Sequence, residues 1–117
     1  MYDVAIVGAG PAGAYTGYLA ARKGFNVVIL DKETFPRDKI CGGGISNKTI
    51  ELLDFDITPV LQRRIVGAYL TYQNRGTLVK DLGDRAGLTT LRRDFDHFLL
   101  ERALEQGVTF KPAAAFL

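Results

Sequence analysis

The chain has 117 residues, 47% of them hydrophobic, which is enough to bury a core but no more than one domain requires. Its 15 basic and 13 acidic residues leave a net charge of +2, and their scattered arrangement predicts no nucleic-acid partner. The single cysteine excludes an internal disulfide framework, and no apolar run is long enough to cross a membrane, so we expect a cytoplasmic protein.

The first predicted elements are a strand, a glycine turn, a helix and a second strand. We predict a strand over residues 3–7, a helix over residues 12–23 with Gly24 as its C-terminal cap, and a strand over residues 25–30. Because this pattern starts next to Met1, we expect no signal or transit peptide. The order is that of a dinucleotide-binding βαβ unit.

The glycine turn Gly8-Ala9-Gly10-Pro11-Ala12-Gly13 has the spacing of a pyrophosphate-binding motif. Gly8 lets the chain turn out of the strand, Gly10 lets backbone approach a phosphate, and Gly13 lets the helix pack closely on the strands. Asp31 follows the second strand at about the 20-residue spacing of the acid that accepts hydrogen bonds from a ribose. The alternative is a glycine-rich turn in an α/β protein that binds no nucleotide.

The rest of the chain is predicted from capping, turn and periodicity signals. We predict an α/β fold with a parallel sheet of residues 3–7, 26–30 and 108–117, plus an antiparallel β-hairpin. The remaining predictions are a loop over residues 31–44, a helix from the Ser46 cap through Leu53, a helix starting at Thr58-Pro59, strands over 65–72 and 77–82 around Asn74-Arg75-Gly76, and a helix from the Asp94 cap to Gln106.

The loop over residues 35–46 contains three consecutive glycines, Gly42 to Gly44. Such a run costs backbone entropy and is expected where a chain approaches a ligand or adopts positive φ. The loop follows Asp31, so we predict that it lies beside the same ligand, beyond the ribose. A flexible surface loop is the alternative.

Three stretches together resemble the geranylgeranyl reductase family, FAD-dependent enzymes related to the para-hydroxybenzoate hydroxylase type of monooxygenase. They are the turn Gly8–Gly13, the pair Asp31-Lys32, and Phe35-Pro36-Arg37-Asp38-Lys39-Ile40-Cys41-Gly42-Gly43-Gly44. Arg92-Arg93-Asp94-Phe95-Asp96 is similar to the Arg-x-x-Phe-Asp element of the same family. The resemblance runs from Asp3 to about Phe110 in the family's order.

The resemblance implies FAD as the cofactor and no metal. The residues that it implies for cofactor binding are Gly8, Gly10, Pro11, Ala12 and Gly13 at the pyrophosphate, Asp31 and Lys32 at the ribose end, Arg37, Lys39, Cys41, Gly42, Gly43 and Gly44 towards the flavin, and Arg92. Cys41 would lie close to the isoalloxazine ring. Catalysis by its thiol and a role as a small packed residue both remain open.

The chemistry in this family belongs to the flavin. Reduced FAD delivers a hydride to an isoprenoid double bond in the reductases and reacts with oxygen in the hydroxylases. The implied substrate is therefore a prenyl lipid or another hydrophobic small molecule, which would bring the protein to a membrane surface without a membrane span.

Family members also carry a downstream Gly-Asp element and a substrate-binding sheet that residues 1–117 lack. We therefore expect a single, partial FAD-binding domain, the N-terminal portion of a longer flavoprotein, that is catalytically incomplete alone. Three alternatives remain: a nicotinamide-binding domain, an FAD-dependent monooxygenase domain, and a non-catalytic dinucleotide-binding module that self-associates through exposed strand edges.

Overall fold

Two compact units make up the chain in the computed structural model, which describes residues 1–83 and 87–116. One unit contains Met1–Ile40 and Arg92–Leu117, and the other contains Cys41–Leu91. The prediction of one domain over residues 1–117 stays a prediction, because compactness alone does not show what folds independently. The elements in chain order are β1 (Val4–Val7), α1 (Pro11–Arg22), β2 (Val27–Leu30), β3 (Gly44–Ile45), α2 (Asn47–Leu52), a 3₁₀ turn (Thr58–Val60), β4 (Leu61–Ile65), β5 (Gly67–Tyr72), β6 (Arg75–Asp81), β7 (Gly87–Thr90), α3 (Arg92–Glu105) and β8 (Thr109–Lys111).

The first unit is built on a parallel sheet in the order β1-β2-β8. Its central strand β2 is buried at Val27, Val28 and Ile29, as the run of β-branched residues predicts for a strand covered on both faces. The predicted α/β fold with a parallel sheet is confirmed. The predicted third strand is longer than the observed one, because β8 ends at Lys111 and Ala113 turns with φ of 53°.

Helices α1 and α3 pack against each other in this unit. At Gly17, a Cβ would lie 2.8 Å from Ile29 Cδ1, so α1 approaches β2 more closely than a side chain would allow. Gly24 follows α1 with φ of 90°, which confirms its predicted role at the helix end. None of the helices in the described residues is both long and apolar enough to span a bilayer.

The start of α3 differs from the prediction. Asp94 is not its N-cap, because the helix begins at Arg92 and Asp94 lies in its first turn. Arg92 and Asp96 form an i,i+4 ion pair in that turn, which favours the earlier start. Asp94 retains a favourable position, since an acid near a helix N-terminus interacts well with the helix dipole.

The second unit contains two antiparallel sheets, β3-β7-β4 and the hairpin β5-β6. The hairpin confirms the predicted antiparallel addition, and Ser46 caps α2 as predicted by accepting a hydrogen bond from Thr49 N at 3.2 Å. The predicted strand over residues 65–72 is instead two strands, with Val66 between them. They separate because β4 pairs with β7 while β5 pairs with β6.

Two further predictions in this unit are wrong in detail. The predicted helix at Thr58-Pro59 is a single 3₁₀ turn that leads directly into β4. The hairpin turn consists of Gln73 and Asn74, with φ of 49° and 57°, and not of Asn74-Arg75-Gly76. A two-residue turn with both φ positive matches the twist of the strands, which explains the shift.

Candidate functional site

The glycine turn between β1 and α1 is a close-packed backbone structure. Gly8 has φ of 100°, and its N–H donates to Leu30 O at 2.7 Å, which ties the turn to the end of β2. A Cβ at Gly13 would lie 1.9 Å from Gly8 O, so only glycine fits this position. At Gly10 the nearest atom to such a Cβ is Arg37 Nη2, at 3.8 Å. The turn therefore needs Gly13 for its own packing and leaves space above Gly10.

The N-terminus of α1 is open towards that space. Gly10 is the N-cap and supplies no side-chain hydrogen bond, Pro11 follows it, and the first turn contains no acidic residue. The N–H groups of Ala12 and Gly13 precede the first intrahelical bond, which Ala14 N donates to Gly10 O. Unsatisfied N–H groups at the positive end of a helix dipole form a site for an anion.

The carboxylate of Asp31 lies beside the same turn. Its Oδ2 accepts a hydrogen bond from Ala9 N at 2.7 Å, and its Oδ1 accepts one from Glu33 N at 2.9 Å. A carboxylate offers about four acceptor positions, so this one keeps capacity for the hydroxyls of a ribose. The two backbone hydrogen bonds fix its orientation.

A cleft of about 260 Å³ opens at the carboxyl ends of β1 and β2. Its polar side includes Gly8, Asp31 and Lys32, and its apolar side includes Val7 and Phe116. Val7 and Phe116 are 58% and 77% exposed, so they offer apolar surface to a ligand. The carboxyl ends of parallel strands are where α/β folds bind ligands. Apolar walls beside a fixed carboxylate suit a flat ring joined to a hydroxyl-bearing sugar.

A buried ion cluster lies behind the glycine turn. Asp96 of α3 is fully buried and accepts two hydrogen bonds from Arg92, at 2.7 Å from Nε and 2.9 Å from Nη2. Arg37 Nη1 lies 3.0 Å from Asp96 Oδ2 in an ion pair, although its N–H groups are not aligned for a hydrogen bond. The guanidinium of Arg37 also lies over the ring of Phe35, 4.6 Å from its centroid. The structure thus brings Arg37 and Arg92 together and places Arg37 beside Gly10.

The role of Asp96 is the feature that the sequence predictions missed. Its i,i+4 spacing from Arg92 is a readable signal for a helical ion pair. The contact with Arg37 has no local signal, because the two residues meet only in the folded unit. Lys39, also predicted to bind the cofactor, is exposed.

The predicted residues Cys41 to Gly44 belong to the second unit. Gly43 has φ of 68°, and a Cβ there would lie 1.9 Å from Thr90 O, so pairing with the end of β7 requires glycine. Gly42 and Gly44 have no atom within 4 Å of such a Cβ. The Cys41 thiol is exposed and accepts a hydrogen bond from Gly43 N at 3.4 Å. Local packing therefore explains one glycine of the three.

Comparison with known proteins decides the family. Residues 1–111 match the family model described as FAD binding domain. The chain belongs to this FAD-binding family. FAD is therefore the cofactor, and the open alternative of a nicotinamide dinucleotide is not supported.

Individual relatives of this FAD-binding chain agree with the family match. It is 36% identical over 111 residues to an uncharacterized protein of Methanosarcina barkeri, covering 93% of this chain and 28% of that protein. It is 34% identical over 107 residues to digeranylgeranylglycerophospholipid reductase 2 of Methanopyrus kandleri, covering 91% of this chain and 26% of that protein. The chain thus spans about a quarter of the length of these relatives. Proteins named as flavin-dependent halogenases also match.

The fold is shared with solved structures. A geranylgeranyl bacteriochlorophyll reductase-like protein from Thermoplasma acidophilum superposes with a TM-score of 0.78 at 23% identity, covering 96% of this chain and 30% of that protein. This fold match, together with the family model and the sequence match to a digeranylgeranylglycerophospholipid reductase, confirms the resemblance to the geranylgeranyl reductase family.

The glycine turn fits the pyrophosphate of FAD. A pyrophosphate needs backbone N–H donors and close approach, and the open end of α1 offers both, with the Arg37 guanidinium beside Gly10. Asp31 and the cleft beside it fit the adenosine end of FAD for the reasons given above. The individual binding contacts of the residues named from the sequence stay predictions.

Proposed function

We propose that this chain is the FAD-binding part of a reductase that acts on an isoprenoid double bond. The observation that carries the proposal is the match to a named digeranylgeranylglycerophospholipid reductase over 91% of the chain. The Arg37-x-Lys39-x-Cys41-Gly-Gly-Gly motif, by which the chain resembles the geranylgeranyl reductases, lies within the matched segment. Bound FAD would supply the hydride transfer.

The contribution of this chain would be to bind and orient the adenosine diphosphate half of FAD. The glycine turn would hold the pyrophosphate on the N–H groups of Ala12 and Gly13. Asp31, already fixed by two backbone N–H groups, would accept hydrogen bonds from the ribose. Anchoring one half of a long cofactor restricts where its flavin end can lie, and this is how a binding domain contributes to a reaction at a distant atom.

A second candidate is oxygen-dependent chemistry, as in the monooxygenases or halogenases. The match to a flavin-dependent halogenase, 30% identical and covering 91% of this chain, favours it. The two candidates use the same FAD-binding part and differ in the region that holds the substrate. Substrate, electron donor and reaction in the whole protein are therefore part of the proposal.

Activity of the full protein separates the two candidates. The full protein is purified with FAD, and the flavin absorbance serves as the check on folding. With dithionite as the reductant and without oxygen, we expect it to add two mass units per reduced double bond to a geranylgeranyl lipid. A flavin-loaded protein that leaves this lipid unchanged, and that adds oxygen or a halogen to a substrate when air and halide are supplied, would contradict the proposal.

We further propose that the full protein binds a lipid substrate at a membrane surface. We also propose that this chain alone self-associates. Among the described residues, the hairpin β5-β6 carries exposed apolar side chains on both faces. Tyr69 and Val79 form one cross-strand pair, 78% and 63% exposed, and Leu70 and Leu78 form the next, 55% and 61% exposed. Exposed apolar strands with open edges favour pairing with another strand.

A further inference from the structure

Asp96 is a buried carboxylate that forms ion pairs with two arginines. Its side chain has no exposed surface, while those of Arg37 and Arg92 are 15% and 21% exposed. A buried carboxylate is strongly unfavourable unless it is paired and hydrogen-bonded. The fold therefore holds both guanidinium groups beside Asp96.

The cluster carries more positive than negative charge. Two guanidinium groups share the single charge of Asp96, which leaves a surplus of one positive charge. Arg92 takes the well-aligned hydrogen bonds, whereas Arg37 is held by an ion pair and by the ring of Phe35. Arg37 Nη1 is buried and has no hydrogen-bond partner among the described residues. Arg37 thus keeps donor capacity that the cluster does not use.

The surplus charge lies at the open end of α1. Arg37 Nη2 is 3.8 Å from the position of a Cβ on Gly10, the N-cap of that helix. The positive end of the helix dipole and a guanidinium group repel each other when no anion lies between them. Asp96 offsets this repulsion through its ion pair with Arg37 Nη1, while Arg37 Nη2 lies beside Gly10.

We propose that Asp96 is a positioning residue for the diphosphate of the cofactor, acting through Arg37. It holds the Arg37 guanidinium over the glycine turn, so that a fixed donor is present before the ligand arrives. A donor ordered in advance loses less entropy on binding, which raises affinity. The identity of the diphosphate as that of FAD rests on the proposed function, whereas the positioning by Asp96 does not.

Binding of FAD and of ADP to the full chain tests the role of Asp96. Affinities are measured by fluorescence for FAD and by calorimetry for ADP, in the wild-type chain, in Asp96→Asn and in the control Asp94→Asn. Both variants lose one negative charge from α3, but Asp94 is exposed. We expect binding at least about tenfold weaker for Asp96→Asn, which corresponds to about 1.4 kcal/mol. We expect no change for Asp94→Asn. Tighter or unchanged binding in Asp96→Asn would overturn the proposal, because loss of a negative charge alone strengthens attraction for an anion.

A double variant shows whether Asp96 acts through Arg37. In the background of Arg37→Met, Asp96→Asn is expected to have no further effect on ADP affinity, since the group that it positions is gone. Additive effects of the two substitutions would refute the mechanism. Asp96→Glu keeps the charge and moves the carboxylate by one methylene, so weaker ADP binding in this variant separates position from charge.

Arginine side-chain NMR gives a readout that needs neither FAD nor a substitution at Asp96. The wild-type chain should show slowly exchanging signals for Arg37 Nη–H and Arg92 Nε–H, assigned with Arg37→Lys and Arg92→Lys, and ADP should shift the Arg37 signal. A rapidly exchanging Arg37 signal that ADP leaves unchanged would overturn the proposal even if Asp96→Asn does not fold. A chain that binds ADP in this way but not FAD would contradict the proposed function and leave the role of Asp96 supported.

Discussion

Substitution of Gly13 by alanine should destabilise the first unit far more than the same substitution at Gly10. A Cβ at Gly13 would lie 1.9 Å from Gly8 O and 3.3 Å from Ile6 Cγ2, whereas ordinary contact begins at 3.4 Å. Relief requires the start of α1 to move by about 1.5 Å from the turn, and the obstructing atom is backbone, which cannot rotate away. Overpacking in a close-packed interior costs about 1–3 kcal/mol, and we expect the upper end, about 3 kcal/mol, for Gly13→Ala.

Gly10→Ala is the matched control for this substitution. Its Cβ would have no atom closer than 3.8 Å, and its φ of −66° is one that alanine adopts without strain. Loss of the glycine N-cap lowers the free energy of unfolding, whereas a less flexible unfolded chain raises it. Because the two effects oppose each other, we expect the free energy of unfolding to change by no more than about 1 kcal/mol.

Urea denaturation followed by circular dichroism measures both variants against the wild-type chain. The reasoning predicts a much lower midpoint for Gly13→Ala at unchanged slope, and a midpoint for Gly10→Ala close to that of the wild type. Equal stability of the two variants would refute the packing argument, because the contacts with Gly8 O and Ile6 Cγ2 are what should make Gly13→Ala the more costly substitution.

Three further predictions concern other parts of the chain. Asp31→Asn should lower the free energy of unfolding by about 1–2 kcal/mol in urea denaturation, because an amide has one oxygen and cannot accept from both Ala9 N and Glu33 N as the carboxylate does. Unchanged stability would contradict the role of these two hydrogen bonds. The hydroxyl and the backbone N–H of Thr58 donate to Asp56 and lower its pKa below 3.8. Their stabilising effect is therefore present above pH 3.8 and is lost as the pH falls through the lowered pKa. NMR titration of Thr58→Ala should give an Asp56 pKa closer to 3.8, and an unchanged pKa would refute the assignment. Tyr69→Lys should reduce the concentration-dependent self-association measured by sedimentation velocity. Phe25→Lys, which removes a 50% exposed side chain of the first unit, should leave it unchanged. A monomeric wild-type chain would exclude the proposed association.

The βαβ part of the fold could be predicted because its signals are local. The glycine spacing, the proline at the start of α1 and the apolar run of β2 each restrict the backbone within a few residues. Their order in the chain is that of a dinucleotide-binding βαβ unit, and the match to the FAD-binding family agrees with this architecture.

The second unit was predicted less well because its strands depend on distant partners. Strand β3 has two residues and β7 has four, too few for a periodic pattern, and β7 forms only by pairing with β3 and β4. The separation of β4 from β5 at Val66 likewise follows from pairing and not from composition. Propensity in strands is weak compared with such tertiary context.

The candidate site shows the same division between local and tertiary signals. Gly8, Gly10, Gly13 and Asp31 were named from spacing alone, and the structure gathers them at the ends of β1 and β2. The link from Arg37 to Asp96 joins a loop to a helix far along the chain, so no local pattern contains it. Substrate specificity is still further from prediction, since the chain spans only about a quarter of its relatives.

Retained flavin shows whether the glycine turn of this chain binds FAD. The purified wild-type chain and Gly10→Ala are incubated with excess FAD and desalted, and the visible flavin absorbance per chain is measured, with circular dichroism as the check on folding. We expect flavin bound to the wild-type chain and lost from Gly10→Ala, because a methyl group would fill the space through which the pyrophosphate approaches. A folded wild-type chain without flavin, or equal flavin in both proteins, would contradict it.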